Sequence, residues 1–316
     1  MSSFWHDLPQ PFFVLAPMEA VTDVVFRHVV AKAAAPDLYF TEFTNATGWV
    51  HAGDKAIGGR LIKTDDEQPI VAQLWGSVSD DMAKLALHCR NLGYHGIDIN
   101  MGCPDASAVK AGGGAGMIRT PELAAEMIVA AKTNGLPVSV KTRLGYSSVN
   151  EWRDWLTHLL RQDIVNLTIH LRTKKEMSKV PAHFELIPEI IKLRDEIAPN
   201  TLLTVNGDVE DRRQGLKLVT ENPGLNGIMI GRGIFHNPFA FEHESAVHDR
   251  DELLDLLRLQ LDLYDTYSHL TQRPFDTLKR FFKIYVNSFD GAAELRDKLM
   301  HTKSTDEVRA LLATHQ

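Results

Sequence analysis

Eight short runs of apolar and β-branched residues recur along the first 240 residues and alternate with longer amphipathic segments. Near-continuous apolar strands separated by helices are typical of parallel strands that are buried on both faces. An open, doubly wound sheet usually has fewer strands, so eight such units predict a (β/α)8 TIM barrel. The predicted strands cover residues 12–18, 38–43, 69–75, 96–102, 137–143, 166–172, 202–208 and 227–233.

The pattern changes after the eighth predicted strand, because strand signals stop from about Asp251 onward. A long amphipathic helix is predicted first, followed by three shorter ones in "FDTLKRFFKIYVNSF", "GAAELRDKLMH" and "STDEVRALLATH". Ser304 and Glu307 have the spacing of a capping box at the start of the last helix. We therefore expect a barrel domain over residues 1–243 and a small helical domain over residues 244–316.

Composition narrows the class of protein further. Hydrophobic residues make up 44% and charged residues 24%, which is ordinary for a globular protein, and no run approaches the roughly 18 apolar residues of a membrane span. The N-terminus lacks the basic start and apolar run of a secretory signal, and two cysteines provide no disulfide framework. These features predict a cytoplasmic protein with no membrane contact, and we expect a monomer.

The formal net charge of −7 argues against a protein that binds nucleic acid over its whole surface, but it allows a local basic patch. His28, His51, His88 and His95 are scattered, with no cysteine or carboxylate at ligand spacing, so no metal site is expected. The glycine-rich "AGGGAG" at 111–116 lacks the spacing of a dinucleotide fingerprint. We interpret it as a flexible turn before a helix that begins at Thr120 and Pro121.

Nearly every predicted strand ends on a hydrogen-bonding or charged residue. Taken singly, each is best explained as an ordinary polar strand end, but eight on one rim predict an active site at the carboxyl face of the barrel. The residues at these ends are Pro17, Met18, Glu19, Glu42, Gln73, Asn100, Cys103, Lys141, Arg143, His170, Arg172, Asn206, Gly207, Asp208, Gly231 and Arg232.

The last two predicted strands end in "VNGD" and "IGRG". Loops after strands seven and eight commonly bind phosphate in this fold, and Gly207, Gly231 and Arg232 suit a phosphate monoester. Seen alone, the glycines fit two tight turns equally well. Lys141 and His170 would be a solvated lysine and a core histidine if isolated, but beside a phosphate site they favour a phosphorylated cofactor such as flavin mononucleotide (FMN).

Several motifs resemble those of the tRNA-dihydrouridine synthases, along nearly the whole chain and in the expected order. They are "LAPMEAVTD" in strand one, "INMGCP" in strand four, "VKTRLG" in strand five, "IHLRT", "VNGDV" and "IGRGIFHNPF" in strands six to eight, and "GAAELRDKL" in the tail. The chain departs from the family's usual pattern in "DASAV" after "GCP" and at Leu171, where glycine is usual. Both departures border the expected substrate opening.

The resemblance implies an FMN enzyme, reduced by NADPH, that reduces the C5–C6 double bond of a uridine in tRNA. It implies that Cys103 is the general acid that protonates C5 and that Asn100 holds the uridine. By the same resemblance, Arg143 and Arg172 are basic substrate-side residues at the mouth. Flavin-binding roles are implied for Pro17, Met18, Gln73, Lys141, His170, Asn206, Gly207, Gly231 and Arg232.

Residues 271–303 contain seven Lys and Arg against four Asp and Glu, a local charge of +3. Lys279, Arg280 and Lys283 share one predicted helix with three aromatic residues and form a candidate RNA contact; a solvated helix face explains them about as well. Two alternatives remain for the whole chain. One is an FMN-dependent barrel oxidoreductase acting on a small molecule, like a dihydroorotate dehydrogenase or an ene-reductase, and the other is a non-catalytic RNA-binding protein that retains FMN.

Overall fold

The computed structural model describes residues 3–314, and within them nine strands form a single parallel sheet. The pairing order is β1-β9-β8-β7-β6-β5-β4-β2, with β3 beside the end of β4. A bridge between Val14 and Leu38, together with the bond from Asp37 N to Phe13 O (2.8 Å), links β1 to β2 and closes the ring. The strands are β1 Phe12–Leu15, β2 Tyr39–Phe40, β3 Thr44–Asn45, β4 Ile70–Trp75, β5 Gly96–Met101, β6 Val138–Arg143, β7 Asn166–His170, β8 Leu202–Asn206 and β9 Gly227–Ile230.

The predicted (β/α)8 TIM barrel with a helical tail is therefore confirmed. All eight predicted strands are present, although the second contributes only Tyr39 and Phe40 to the ladder. Trp5, from a short 3-10 helix at Phe4–Asp7, is buried against the Phe12 and Phe40 rings in the lower half of the barrel. Apolar side chains thus fill this part of the barrel, whereas polar side chains occupy the carboxyl ends of the strands.

The α-helices pack around the barrel and continue into the tail. Helix α6 begins at Pro121 as predicted, but the Thr120 side chain makes no capping bond. The helices are α1 Val24–Ala34, α2 Ala46–Ala52, α3 Asp54–Ile57, α4 Ser79–Asn91, α5 Ala106–Lys110, α6 Pro121–Lys132, α7 Trp152–Leu160, α8 Ile187–Ile197, α9 Arg212–Glu221, α10 Arg250–Thr271, α11 Phe282–Tyr285, α12 Ala292–Met300 and α13 Thr305–Ala313.

Two predictions about the tail were partly wrong. The stretch "FDTLKRFFKIYVNSF" forms a 3-10 helix at Phe275–Phe281 and then the single-turn α11, rather than one helix. Residues 281, 282 and 284–286 are all buried, and one face of a regular helix cannot bury so many neighbouring side chains. The capping box of α13 is half formed, because Glu307 N–H binds Ser304 Oγ while the Glu307 carboxylate accepts from Lys303 N–H instead.

The helical tail contacts the barrel beside β1. Helix α10 packs against α1, and Arg273 donates two hydrogen bonds from Nη2 to the buried carboxylate of Glu42, at 2.8 and 3.0 Å. Arg280 donates to the carbonyl oxygen of Ala20, in the loop that follows β1, at 3.0 Å. These contacts place the tail at the carboxyl rim of the barrel, while the division into domains at residue 243 stays a prediction.

Candidate active site

A cavity of about 550 Å³ opens at the carboxyl end of the barrel. The strand register places its lining residues side by side, since Arg143 pairs with His170 and His170 with Asn206 on successive strands. Pro104, Met177 and Ser178 come from the loops above the strands. Nine residues with a predicted cofactor or substrate role line the cavity: Pro17, Met18, Lys141, Arg143, His170, Asn206, Gly207, Gly231 and Arg232.

Beneath these residues, three buried side chains form a hydrogen-bonded row. Gln73 donates from Nε2 to Asp98 (2.7 Å), and Asn100 donates from Nδ2 to Gln73 Oε1 (3.0 Å). Ser139 donates to the other Asp98 oxygen at 2.6 Å, and burial raises the pKa of Asp98 to about 6. Asp98 was missed in the sequence, although its two-residue offset from Asn100 puts both on the same face of β5.

Asn100 fixes the backbone at the cysteine. Its Oδ1 accepts hydrogen bonds from Gly102 N (3.1 Å) and Cys103 N (2.8 Å), and its side chain is 6% exposed. The amide oxygen is therefore occupied by this chain, and one N–H of the amide is left for a ligand. The buried carboxylate of Asp98 thus binds Gln73, and Gln73 in turn orients the Asn100 amide that holds the Cys103 backbone.

The glycine-rich segment packs against Cys103 from the other side. Ala115 N donates to Cys103 O at 2.9 Å, and Gly114 begins a 3-10 helix that ends at Arg119. Gly114 has φ +53°, and a methyl group placed on it would come within 2.7 Å of Cys103 O. The predicted flexible turn is therefore wrong: the segment is folded against the cysteine loop.

Cys103 itself is partly buried and is not in a disulfide, and its burial raises the pKa of the thiol above the ordinary value. The thiol therefore keeps its proton at neutral pH. Cys89, by contrast, is fully buried in α4, as predicted for a small core residue.

Arg143 joins two loops of the site. It donates from Nε to Gly102 O (2.7 Å) and from Nη1 to Thr173 O (3.2 Å) and Met177 O (3.1 Å). The loop after β7, which contributes Met177 to the cavity wall, is thereby tied to the residue that precedes Cys103. Expected at an open mouth, Arg143 is instead buried and occupied by backbone carbonyls.

Arg172 is also inside the wall rather than at an open mouth. It is 1% exposed, donates from Nε to Val180 O at 2.6 Å, and forms an ion pair with Asp208. Asp208 also pairs with Arg232 at 3.3 Å, and Arg232 is 60% exposed at the cavity edge. Among the described residues the Arg172 Nη1 group has no hydrogen-bond partner, and it lies behind Gly207, near the point where a Cβ would stand.

Lys141 and His170 bring different charge states to the cavity. Burial and the nearby Arg143 lower the pKa of Lys141 to about 8, and its Nζ lies 3.3 Å from Asn206 Oδ1. Burial and the surrounding cations lower the pKa of His170, so its imidazole is neutral at pH 7. The cavity therefore offers a cation and a neutral imidazole next to side-chain-free backbone at Gly207 and Gly231.

The predicted basic cluster of the tail lies outside this cavity. Lys279 forms an ion pair with Asp276 at 2.7 Å, Arg280 binds the Ala20 carbonyl, and Lys283 is exposed. Their aromatic neighbours Phe281, Phe282 and Tyr285 are buried core residues.

Fold and site together define a TIM barrel with a polar cavity at the carboxyl ends of its strands. In residues 3–314 no group of three or more His, Cys, Asp or Glu side chains is arranged to hold a metal ion, and no helix has the length and hydropathy needed to span a bilayer.

The family model described as dihydrouridine synthase (Dus) matches residues 14–316. The chain belongs to the dihydrouridine synthase family.

Curated relatives are similar over almost their whole length. A Bacillus subtilis (strain 168) protein named "Probable tRNA-dihydrouridine synthase 2" is 62% identical over 311 residues, which cover 98% of this chain and 95% of that protein. A Staphylococcus epidermidis protein named "Probable tRNA-dihydrouridine synthase" is 58% identical over 99% of this chain and 96% of its own length. A Staphylococcus aureus (strain COL) protein of the same name is 58% identical over 98% and 94%.

Proposed function

We propose that this chain is a tRNA-dihydrouridine synthase, which reduces the C5–C6 double bond of a uridine in tRNA with FMN that NADPH re-reduces. The observation that carries the proposal is the partly buried Cys103, held between Asn100 and Gly114 beside the cavity, in a chain of this family. The names of the relatives support tRNA as the substrate. An FMN-dependent barrel enzyme for a small molecule remains the alternative.

The cavity residues fit a phosphorylated flavin. The unpartnered Nη1 of buried Arg172 and the side-chain-free Gly207 and Gly231 leave donors and space at one end, where Arg232 adds charge. Bound FMN would supply the hydride for uracil C6. We assign the ring end to Pro17, Met18, Gln73, Lys141 and His170, and the phosphate end to Asn206, Gly207, Gly231 and Arg232.

Cys103 Sγ is proposed to give its proton to uracil C5, which becomes carbanion-like as C6 is reduced. Burial keeps the thiol protonated at neutral pH, as an acid requires. Asn100 holds the Cys103 backbone N–H and Arg143 holds the Gly102 carbonyl, so the thiol has a fixed position. Because Cys103 is only partly buried, solvent can return the proton after each turnover.

The substrate base is stacked in folded RNA and must be extruded into the cavity to meet Cys103. We propose that residues 244–316 form an RNA-binding domain beside the mouth, with Lys279, Arg280 and Lys283 facing the RNA backbone. We assign Arg143 to the substrate side through the loops that it holds. Arg172 acts there through the Val180 carbonyl that its Nε holds, while its Nη1 is left for the phosphate end. We further propose a cytoplasmic monomer, consistent with two unpaired cysteines.

Mass spectrometry of tRNA from cells with and without the gene tests the function. Loss of dihydrouridine at one or more positions is expected in the deletion strain; unchanged dihydrouridine would refute the tRNA proposal and favour the small-molecule alternative.

A Cys103→Ala variant tests the acid. It should keep bound flavin and NADPH oxidation while uridine reduction falls by roughly 10²–10⁴-fold. Cys89→Ala is the matched control, since it removes the other thiol from the core without touching the cavity. Normal uridine reduction by Cys103→Ala would contradict the proposed role.

An Arg232→Ala variant tests the phosphate end of the cofactor site. It should retain less flavin after gel filtration, because it removes an exposed cation at the cavity edge. Undiminished flavin content would remove Arg232 from that end.

A further inference from the structure

We propose that Arg119, Tyr146, Lys174 and Lys175, here called the β6 rim surface, form a second contact for the RNA backbone, across the barrel mouth from the helical tail. The inference rests on the proposed function, in which the substrate is RNA, and it names the part of the barrel that holds that substrate.

The β6 rim surface is a rigid cluster built around one aromatic ring. The Arg119 guanidinium lies 4.2 Å and the Lys174 Nζ 5.1 Å from the centre of the Tyr146 ring. Backbone bonds from Lys174 N to Gly145 O (2.8 Å) and from Lys175 N to Tyr146 O (2.9 Å) join the two loops. The cations of Arg119 and Lys174 are therefore held in place before any ligand binds, which lowers the entropy cost of binding.

None of the three cations of this surface is bound to a carboxylate in the described part of the chain. Within residues 3–314 no carboxylate forms an ion pair with Arg119, Lys174 or Lys175, whereas Lys279 in the tail is paired with Asp276. Three cations without carboxylate partners, on a chain of net charge −7, suit a polyanion.

Nearby acidic side chains have other partners. Glu176 binds His183 (2.9 Å) and Thr173 N–H (2.7 Å), and Glu151 accepts from the backbone N–H groups of residues 146–148. Glu151 and Asp154 line the neighbouring cavity beside Arg119, whereas Lys174 and Lys175 lie outside that cavity. Phosphate groups of RNA would therefore meet free cations chiefly at Lys174 and Lys175, outside that cavity.

The β6 rim surface is directly connected to the reacting group. Arg119 ends the 3-10 helix whose first residue, Gly114, contacts Cys103. Tyr146 follows Arg143 by three residues, and Arg143 binds the carbonyl next to Cys103. An RNA backbone on this surface lies on the cysteine side of the mouth.

The ring order places the β6 rim surface opposite the tail. Counting along the closed ring from β1, β6 is the fourth strand in either direction, through β9, β8 and β7 or through β2, β4 and β5. The tail contacts the loop after β1 through Arg280. RNA held at both places would span the mouth, with the cavity and Cys103 between its two anchors.

The test is tRNA binding and reduction by the full-length flavin-loaded enzyme with Arg119→Gln, Lys174→Gln and Lys175→Gln combined. We expect affinity for unmodified tRNA to fall at least about tenfold. The slope of log affinity against log salt concentration should decrease by about one for each phosphate group that the variant no longer binds. KM for tRNA should rise while kcat at saturation stays near wild type, because Cys103 and its partners are unchanged.

A triple variant with Lys32→Gln, Arg161→Gln and Lys192→Gln is the control, since it removes equal charge from α1, α8 and the end of α7, away from the mouth. Wild-type affinity for tRNA and a wild-type salt slope in the β6 rim variant would overturn the inference. The surface would then be better explained as a binding site for an acidic protein. An equal loss in the control variant would overturn the inference too, because general charge would then explain the effect. A wild-type enzyme that does not reduce tRNA would instead refute the proposed function.

Discussion

Replacing Gly114 by alanine tests whether the glycine-rich segment sets the position of the cysteine. Gly114 has φ +53°, a conformation that costs an alanine about 1–2 kcal/mol. The new methyl group would also lie 2.7 Å from Cys103 O and 3.2 Å from Cys103 Cβ. An ordinary carbon–oxygen contact is about 3.3 Å or more, so the cysteine loop has to move by roughly 0.6 Å.

A displacement of this size affects both the chemistry and the stability of the fold. Since a 1 Å misplacement can cost about 100-fold in rate, we expect Gly114→Ala to slow uridine reduction roughly tenfold. The contact adds about 1–3 kcal/mol of destabilisation to the left-handed penalty. NADPH oxidation and flavin content should stay near wild type, because the residues lining the cavity, apart from Pro104, are on other loops.

Single-turnover reduction of tRNA and urea unfolding measure the two effects separately. Gly291→Ala is the matched control: Gly291 also has a left-handed φ, +79°, but a methyl group there meets nothing within 4 Å. It should lose only the left-handed penalty and keep the wild-type rate. If Gly114→Ala reduced tRNA as fast as Gly291→Ala, the segment would not position Cys103.

Three further predictions concern charged groups. Arg143→Lys should lower kcat roughly 10–100-fold with flavin retained, because lysine cannot bind the carbonyls of Gly102 and the β7 loop together; an unchanged kcat would exclude that link. Burial raises the pKa of Glu42 from 4.5 to about 7, so the unfolding free energy should fall as pH rises from about 4.5 to 7, and urea titrations of Glu42→Gln should lack that fall. The Lys141 cation is lost as pH rises through about 8, so flavin retention measured by filtration should weaken there, and Lys141→Gln should remove this dependence.

Much of the barrel could be predicted because its signals are local. Apolar strands alternate with amphipathic helices, and the strand ends carry the polar residues that line the cavity, which is why nine predicted residues meet there. The prediction of one helix over the tail segment 275–285 was wrong for the opposite reason. Its helical periodicity is overridden by the tertiary burial of adjacent aromatic residues.

The orientation of side chains within the site could not be predicted in the same way. Arg143 and Arg172 come from strand ends, as Lys141 does, but whether such a cation is free for a ligand or binds loop carbonyls depends on loops distant in sequence. Gly114 shows the same limit. Its role follows from a backbone contact with Cys103, eleven residues away, and the run of glycines around it indicates only flexibility.

The internal hydrogen bonds of Arg143 and Arg172 affect how an acidic protein can recognise RNA. With 34 Lys and Arg against 41 Asp and Glu, the chain has no excess of cations, and several arginines of the site are bound to carboxylates and carbonyls. Arg143 and Arg172 serve the loops of the site, so phosphate contacts have to come from exposed cations such as Lys283 and the β6 rim surface. Each contact contributes an increment that salt weakens, and a few contacts give modest affinity. Selection of one uridine then depends on the spacing of two anchors across the mouth more than on the number of charges.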